Sequence, residues 1–374
     1  MERKNSKYSE GLVFLVVLVS IAFIVSFSVA FYLAKSNARF GDDSFSEIAS
    51  KSLNEISSSS TTVTPDQSST GSTSFPFQEM TIPHLRNRQY KSNISRMELV
   101  SENANYTSYI ASYDSDGLVI NGLLTKPKAS MPDGGFPAII FIHGYISPDE
   151  YKTLVNYVSY VDYLARNGFV VFKIDLRGHG DSAGEPGGGY YSGDYVIDTL
   201  NAYSALESLD YVNSKAIGLW GHSMAGNVIL RSFSVKKNVP AAVIWAGAGY
   251  TYSDLQEYLI EDASYRPPPA NSERARKRQE LRDTYGNFDP NHWFWKQVPA
   301  TNYLGSVTGA LQLNHAVDDK VVSIEYSRNL NEILNQTSIL HELNEYSSGG
   351  HNLTGSTFSQ AMQKTVEFFK GNLK

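Results

Sequence analysis

Ala216-Ile-Gly-Leu-Trp-Gly-His-Ser-Met-Ala-Gly226 reads as an apolar strand that runs into a tight turn, with a helix expected from Asn227 to Phe233. A strand, a sharp Gly-x-Ser-x-small turn and a helix, in that order, form the context in which a serine becomes a nucleophile elbow. Such a turn pushes Ser223 out at the carboxyl end of its strand, with its hydroxyl exposed. Gly221 fits because a side chain would collide in so tight a bend. The fifth position is Ala225 rather than glycine, and Gly226 follows at once.

An activated serine needs a base and an orienting acid. Downstream, Ala310-Leu-Gln-Leu-Asn-His-Ala-Val-Asp-Asp319 is a buried-type strand ending in two carboxylates, and Ser347-Ser-Gly-Gly-His351 follows a further strand. His351 lies in a glycine-loosened loop, the kind of segment that carries chemistry. It is expected to take the proton from Ser223 and hand it to the leaving group. Of the two carboxylates, Asp318 is taken as the acid that holds the imidazole. Asp319, next to Lys320, is read as a loop-bracing residue. The other histidines fit structural places: His341 inside a strand, His292 beside Trp293-Phe-Trp295, His179 in a turn, and His222 in the same bend as the serine but unable to face it.

Phe136-Pro-Ala-Ile-Ile-Phe-Ile-His-Gly-Tyr145 is another buried strand. The loop after it and the residue after the nucleophile would supply an oxyanion hole, from the backbone N–H groups of Tyr145 and Met224. Asp175-Leu-Arg-Gly-His-Gly-Asp-Ser182 reads as support beneath the site, with Arg177 tying loops together. Gly187-Gly-Gly189 lacks the strand–helix context of a phosphate cradle.

From about residue 108 to 374 these motifs, with Asp116-Gly-Leu-Val-Ile-Asn-Gly-Leu-Leu-Thr-Lys-Pro127 and Pro299-Ala-Thr-Asn-Tyr-Leu304, resemble the α/β-hydrolase superfamily. They are most like the catalytic domain of the prolyl oligopeptidase family and its esterase relatives. The resemblance implies a serine hydrolase that forms an acyl-enzyme on small ester or short peptide substrates, with no cofactor and no metal. The β-propeller of that family's peptidases takes roughly 40 residues per blade. The stretch before residue 136 cannot supply it, so strict peptidase specificity does not transfer. An acyltransferase and a catalytically silent binding protein on the same fold are the alternatives.

The expected fold class is α/β. An entry hairpin (about 106–127) precedes parallel strands near 137–142, 169–175, 216–220, 241–246, 310–315 and 338–344. Apolar runs this continuous suit strands covered on both faces. Leu154, Val158, Val161 and Ala165, and likewise Val196, Leu200, Tyr203 and Leu206, repeat at helical spacing. The result is a doubly wound, mostly parallel sheet with helices on both faces. A helical cap insertion is placed at about 250–305, long for such a connection. It carries Pro267-Pro-Pro269 and the charged helix Glu273-Arg-Ala-Arg-Lys-Arg-Gln-Glu-Leu-Arg282, whose cations are read as a solvated face rather than a clamp for an acidic substrate. Trp293, Phe294 and Trp295 either wall an acyl pocket or anchor the cap.

Residues 11–34 contain no charged side chain. As a helix they reach about 36 Å, enough to cross a bilayer core. Arg3, Lys4 and Lys7 precede the run, so residues 1–10 are expected in the cytoplasm and the rest outside it. Cleavage after Ser28-Val-Ala30 as a signal peptide is the rival reading to an uncleaved anchor. Residues 35–79 read as a disordered linker: 13 of the 18 positions from Ser57 to Ser74 are Ser or Thr, too few apolar groups to offset ordering entropy. The hydrolase domain is set at 80–374. There is no cysteine, hence no disulfide or thiol nucleophile, and the net charge of −6 leaves no footprint for nucleic acid. Membrane contact through the N-terminal helix and a small-molecule substrate are the expected partners; oligomeric state is left open.

Overall fold

The computed structural model describes residues 74–374. The expected anchor at 11–34 and the linker as far as residue 73 lie outside the described residues. No helix among those described is long and apolar enough to cross a membrane.

Among the described residues there are nine strands: β1 (Ile94–Glu102), β2 (Tyr106–Ser115), β3 (Leu118–Pro127), β4 (Phe136–Ile142), β5 (Val170–Ile174), β6 (Val212–His222), β7 (Ala241–Trp245), β8 (Ala310–Ala316) and β9 (His341–Tyr346). They form one sheet in the order β1-β2-β3-β5-β4-β6-β7-β8-β9. From β5 to β9 every pairing is parallel, and β1 to β3 add an antiparallel flank against β5. The expected parallel strands are all there. Strand β1 was not expected. As an edge strand it is exposed on nearly every residue, so it carries little of the apolar signal by which the others are read.

Helices α1 (Ile82–Asn87), α3 (Asp194–Glu207), α4 (Ala225–Val235) and α7 (Glu325–Leu334) cover one face, and α2 (Val158–Arg166) and α8 (Ser356–Asn372) the other. Alternate strand residues feed the two cores. Ile140, Phe172 and Leu219 point into one, while Phe141, Val171 and Trp220 point into the other. This two-sided demand is why the central strands are dominated by apolar residues. Helix α2 begins later than its repeat suggests, and Leu154 is left exposed.

The sheet winds one way from β4 to β5 and the other way from β6 to β9, so the order reverses between β4 and β6. Crevices at the carboxyl ends of strands flanking such a switch are where this architecture places ligands. The loops after β4 and β6 are those that carry Tyr145 and Ser223.

The cap between β7 and β8 contains α5 (Tyr252–Glu257), α6 (Glu273–Tyr285) and two 3₁₀ turns at Trp295–Gln297 and Ala300–Ser306. Ser272 caps α6, its hydroxyl accepting from Ala275 N–H at 3.2 Å. Phe294, Trp295, Tyr252, Leu281 and Val298 form a separate small core with Met80. Phe294 stacks on Tyr285 at 3.8 Å. The aromatic run therefore anchors the cap, and only Trp293 of the three is exposed. The fold also begins earlier than residue 80. Phe75 meets Trp293 edge-on at 5.2 Å, and buried Arg231 donates to the Met80 carbonyl at 2.7 Å. Met80 is fully buried against the cap. Met80→Ala should therefore cost about 2–5 kcal/mol, the range for truncating such a side chain, measured as a shift in urea unfolding.

Candidate active site

The elbow after β6 is real. Ser223 has φ 57°, a left-handed conformation that a side chain rarely adopts and that costs on the order of 1–3 kcal/mol. Three backbone hydrogen bonds hold it: Ser223 N–H donates to Trp245 carbonyl at 2.9 Å, and its own carbonyl accepts from Gly226 at 2.8 Å and Ala248 at 3.2 Å. The bend admits no bulk. A Cβ on Gly221 would sit 2.6 Å from Ile229 and one on Gly226 would sit 2.8 Å from Gly247. Helix α4 starts at Ala225, two residues earlier than the sequence pattern suggests, so the turn passes directly into it.

Ser223 and His351 line one cavity of about 420 Å³, together with Tyr145, Tyr157, His222 and Asp262. Tyr145, in the loop after β4, lines that cavity, and Met224 follows Ser223 as the N-cap of α4. Among the described residues neither backbone N–H has an acceptor within the protein, although most backbone donors in a folded chain are paired.

The acid differs from expectation. His351 Nδ1 bonds Asp319 Oδ2 at 2.8 Å, and Asp319 is buried whereas Asp318 is exposed. Strand β8 ends at Ala316, and a turn closed by Asp319 N–H on the Ala316 carbonyl (3.3 Å) swings Val317 and Asp318 outward and Asp319 back in. Asp318 instead accepts from Gly350 N–H at 2.8 Å and so braces the histidine loop. The assigned roles of the two neighbours are thus exchanged.

Asp319 is thoroughly satisfied. Its Oδ1 accepts from Val321 and Val322 N–H at 2.8 and 3.0 Å, and Oδ2 also receives His315 Nε2 at 3.2 Å. Burial opposes its ionisation, but the hydrogen bonds from His315 and His351 and the nearby His351 charge outweigh that and hold the carboxyl well below the usual carboxylate range. His315 is itself fixed by Ser327 Oγ at 2.8 Å on Nδ1. The sequence reading passed over it. Its signal is a histidine in a strand of buried type, four residues before the acid. Since the carboxylate only accepts, His351 Nδ1 carries the proton, leaving Nε2 free to accept one.

A second group that the sequence did not reveal is Tyr157, paired with His222. Gly144 N–H donates to the Tyr157 hydroxyl at 3.1 Å, and that hydroxyl lies 2.7 Å from His222 Nδ1. His222 Nε2 lies 2.8 Å from the His351 carbonyl. A carbonyl only accepts, so Nε2 bears the hydrogen and Nδ1 accepts from Tyr157. Burial, and secondarily the neighbouring His351, lower the His222 pKa to about 3, so the ring stays neutral and the bridge keeps one polarity. It ties the loop of Tyr145 to the loop of His351 across the elbow. Beneath, Arg177 binds Asp198 at 2.7 Å and Asp194 at 3.1 Å, the loop-tying role expected of it.

A family model described as "Serine aminopeptidase, S33" matches residues 137–264. That span includes Tyr145, Ser223 and Met224 and stops before Asp319 and His351. Human protein ABHD12B is 25% identical over 211 residues, covering 55% of this chain and 52% of its own. The chain spans about half or less of the length of the curated relatives it matches. Among solved structures, acetyl xylan esterase 1 from Thermoanaerobacterium sp. JW/SL YS485 superposes with TM-score 0.54 at 20% identity, covering 77% of this chain and 90% of that one. A puromycin-hydrolyzing peptidase of Mycobacterium tuberculosis gives 0.55 at 17% identity, over 73% and 40%. The architecture is the α/β-hydrolase fold, and the family match is consistent with a serine hydrolase of that superfamily.

The bridge yields a direct expectation. His222→Phe and Tyr157→Phe should each lower kcat per titrated serine by about 10- to 100-fold, the scale of a small misplacement of reacting groups, with KM little changed. A purely structural role would instead lower the yield of folded protein and leave kcat per active serine intact.

Proposed function

We propose that the chain is a serine hydrolase whose reaction runs through Ser223, His351 and Asp319. The observation that carries this is the buried Asp319 holding His351 in the proton-accepting tautomer, in the cavity that the strained Ser223 also lines. Ser223 Oγ attacks the acyl carbon while its proton passes to His351 Nε2. The carbonyl oxygen, now negative, is received by Tyr145 and Met224 N–H. The bond to the alcohol or amine then breaks, and the leaving group takes the proton from His351. Water attacks the acyl-enzyme by the same route, releasing the acid and restoring Ser223. Asp319 stays ionised throughout and stabilises the imidazolium.

The substrates we infer are small esters or short peptides. An esterase and a peptidase are both among the structural neighbours, and a cavity of about 420 Å³ suits a small acyl group. We further infer that residues 11–34 anchor the protein in a membrane with the hydrolase domain outside the cytoplasm; Arg3, Lys4, Lys7 and the uncharged run support this.

Purified protein should be labelled by a fluorophosphonate probe at Ser223, and Ser223→Ala should abolish labelling. A folded wild-type protein that stays unlabelled would refute the reading. Ser223→Ala and His351→Ala should each cost about 10⁶ in kcat, and the double variant hardly more, because nucleophile and base act as a unit. Asp319→Asn should cost about 10⁴, whereas Asp318→Asn should stay within about tenfold, having lost only a loop contact. For topology, protease added to intact cells should release active enzyme by cutting within residues 44–72. Recovery of the full chain in the cytosolic fraction would contradict the anchor.

A further inference from the structure

Helix α6 has two kinds of cation. Arg276 and Lys277 are exposed, Lys277 pairs with Glu273 at 2.9 Å, and Arg282 donates to Gln279 at 2.7 Å. These behave as the solvated face expected from the sequence. Arg274 and Arg278 do not. They stand one turn apart on the stripe that continues through Leu281 and Tyr285, the stripe that packs into the cap core.

Both Nε atoms are buried and without a hydrogen-bond partner. Among the described residues Arg274 makes no hydrogen bond or ion pair. Among the same residues Arg278 has the Tyr265 hydroxyl at 3.4 Å and the Tyr191 ring at 5.2 Å, and no described carboxylate pairs with either guanidinium. Like charges at this spacing repel. Burial, then the charge of Arg278, lowers the Arg274 pKa. Two half-buried guanidinium groups one helical turn apart, each with an unpartnered Nε, form a site suited to an oxyanion.

The position relates this pair to the chemistry. The guanidinium of Arg274 lies over Gly188, where a Cβ would come within 2.9 Å of Nη2. The next residue, Gly189, is packed in the same way on Met224, with 2.8 Å from a Cβ to Cγ. On the other side Arg278 touches Tyr265, whose ring packs at 5.3 Å on Tyr145. Each arginine thus connects through intermediate residues to one of the two unpaired N–H groups, Arg274 by way of Gly188-Gly189 to Met224 and Arg278 by way of Tyr265 to Tyr145. Asp262, which also lines the cavity, has Oδ1 engaged by the N–H and hydroxyl of Ser264 at 2.8 and 2.6 Å.

We infer that Arg274 and Arg278 form an anion subsite in the cap, which receives a carboxylate or phosphate carried by the substrate away from the bond that is broken. The inference rests on Ser223 being the nucleophile and narrows the substrate class to anionic esters or amides.

The test compares 4-nitrophenyl hydrogen adipate, with its free carboxylate, and its methyl-capped diester on three proteins: wild type, Arg274→Gln/Arg278→Gln, and Arg276→Gln as a control on the exposed face. Wild type should prefer the free acid by about 10- to 100-fold in kcat/KM, as one or two charge-assisted pairs provide. The preference should vanish in the double variant, survive in Arg276→Gln, and shrink with added salt. Equal use of both esters by wild type, or a preference that survives in the double variant, overturns the proposal. Fluorophosphonate labelling of the double variant at the wild-type rate shows that the serine chemistry is intact. Should wild type itself resist labelling, the reading of Ser223 fails. Calorimetric titration of adipate and of inorganic phosphate then still decides the anion site, by binding to wild type that the double variant lacks or by no binding at all. If the double variant does not fold, Arg274→Gln alone is read in the same assays.

Discussion

The backbone of Ser223 is held in a conformation it would not choose, and the rest of the site is arranged around that constraint. Three hydrogen bonds, from the end of β7 and the first turn of α4, over-determine the bend. Because β6 lies beside β4 at the point where the sheet reverses its winding, the bend opens onto the loop that carries Tyr145. Two backbone N–H groups stay unpaired there, at Tyr145 and Met224. The packed sheet and its flanking cores absorb a local cost of on the order of 1–3 kcal/mol. This is how a folded scaffold maintains strain at a reactive residue.

Much of this was legible in the sequence, for physical reasons. Strands buried on both faces are dominated by apolar residues, so β4 to β8 announced themselves. A turn too tight for side chains must be written in glycine and alanine, so the elbow did too. His351 stood out by following two glycines at a strand end. What failed was the register of one residue. Strand periodicity stops at Ala316, and beyond it the direction of a side chain depends on how the turn closes, which neighbouring aspartates do not encode. A clue lay in His315. A fully buried imidazole requires partners on both nitrogens, and the residue four positions on is well placed to serve one of them. Strand β1 was missed for the opposite reason, since an exposed edge needs no apolar pattern.

The cap shows the same divide. Its charge run and aromatic cluster were visible, yet their meaning depended on which side of α6 faced inward. Once Leu281 is seen in the cap core, helical geometry puts Arg274 and Arg278 on that inner stripe and leaves Arg276 and Lys277 to water. The aromatic residues were likewise ambiguous until Phe294 stacked on Tyr285.

His222 was set aside because it cannot face the serine, and that inability is the source of its use. Its ring reaches the Tyr157 hydroxyl on one side and the His351 carbonyl on the other. Few side chains could fill the position. The bridge needs an acceptor and a donor held rigidly on opposite edges of one small ring, which only a neutral imidazole offers. Burial secures that neutrality by lowering the pKa to about 3, so the bridge keeps one polarity. The loop that carries Tyr145 and the loop that carries His351 thus share one fixed support.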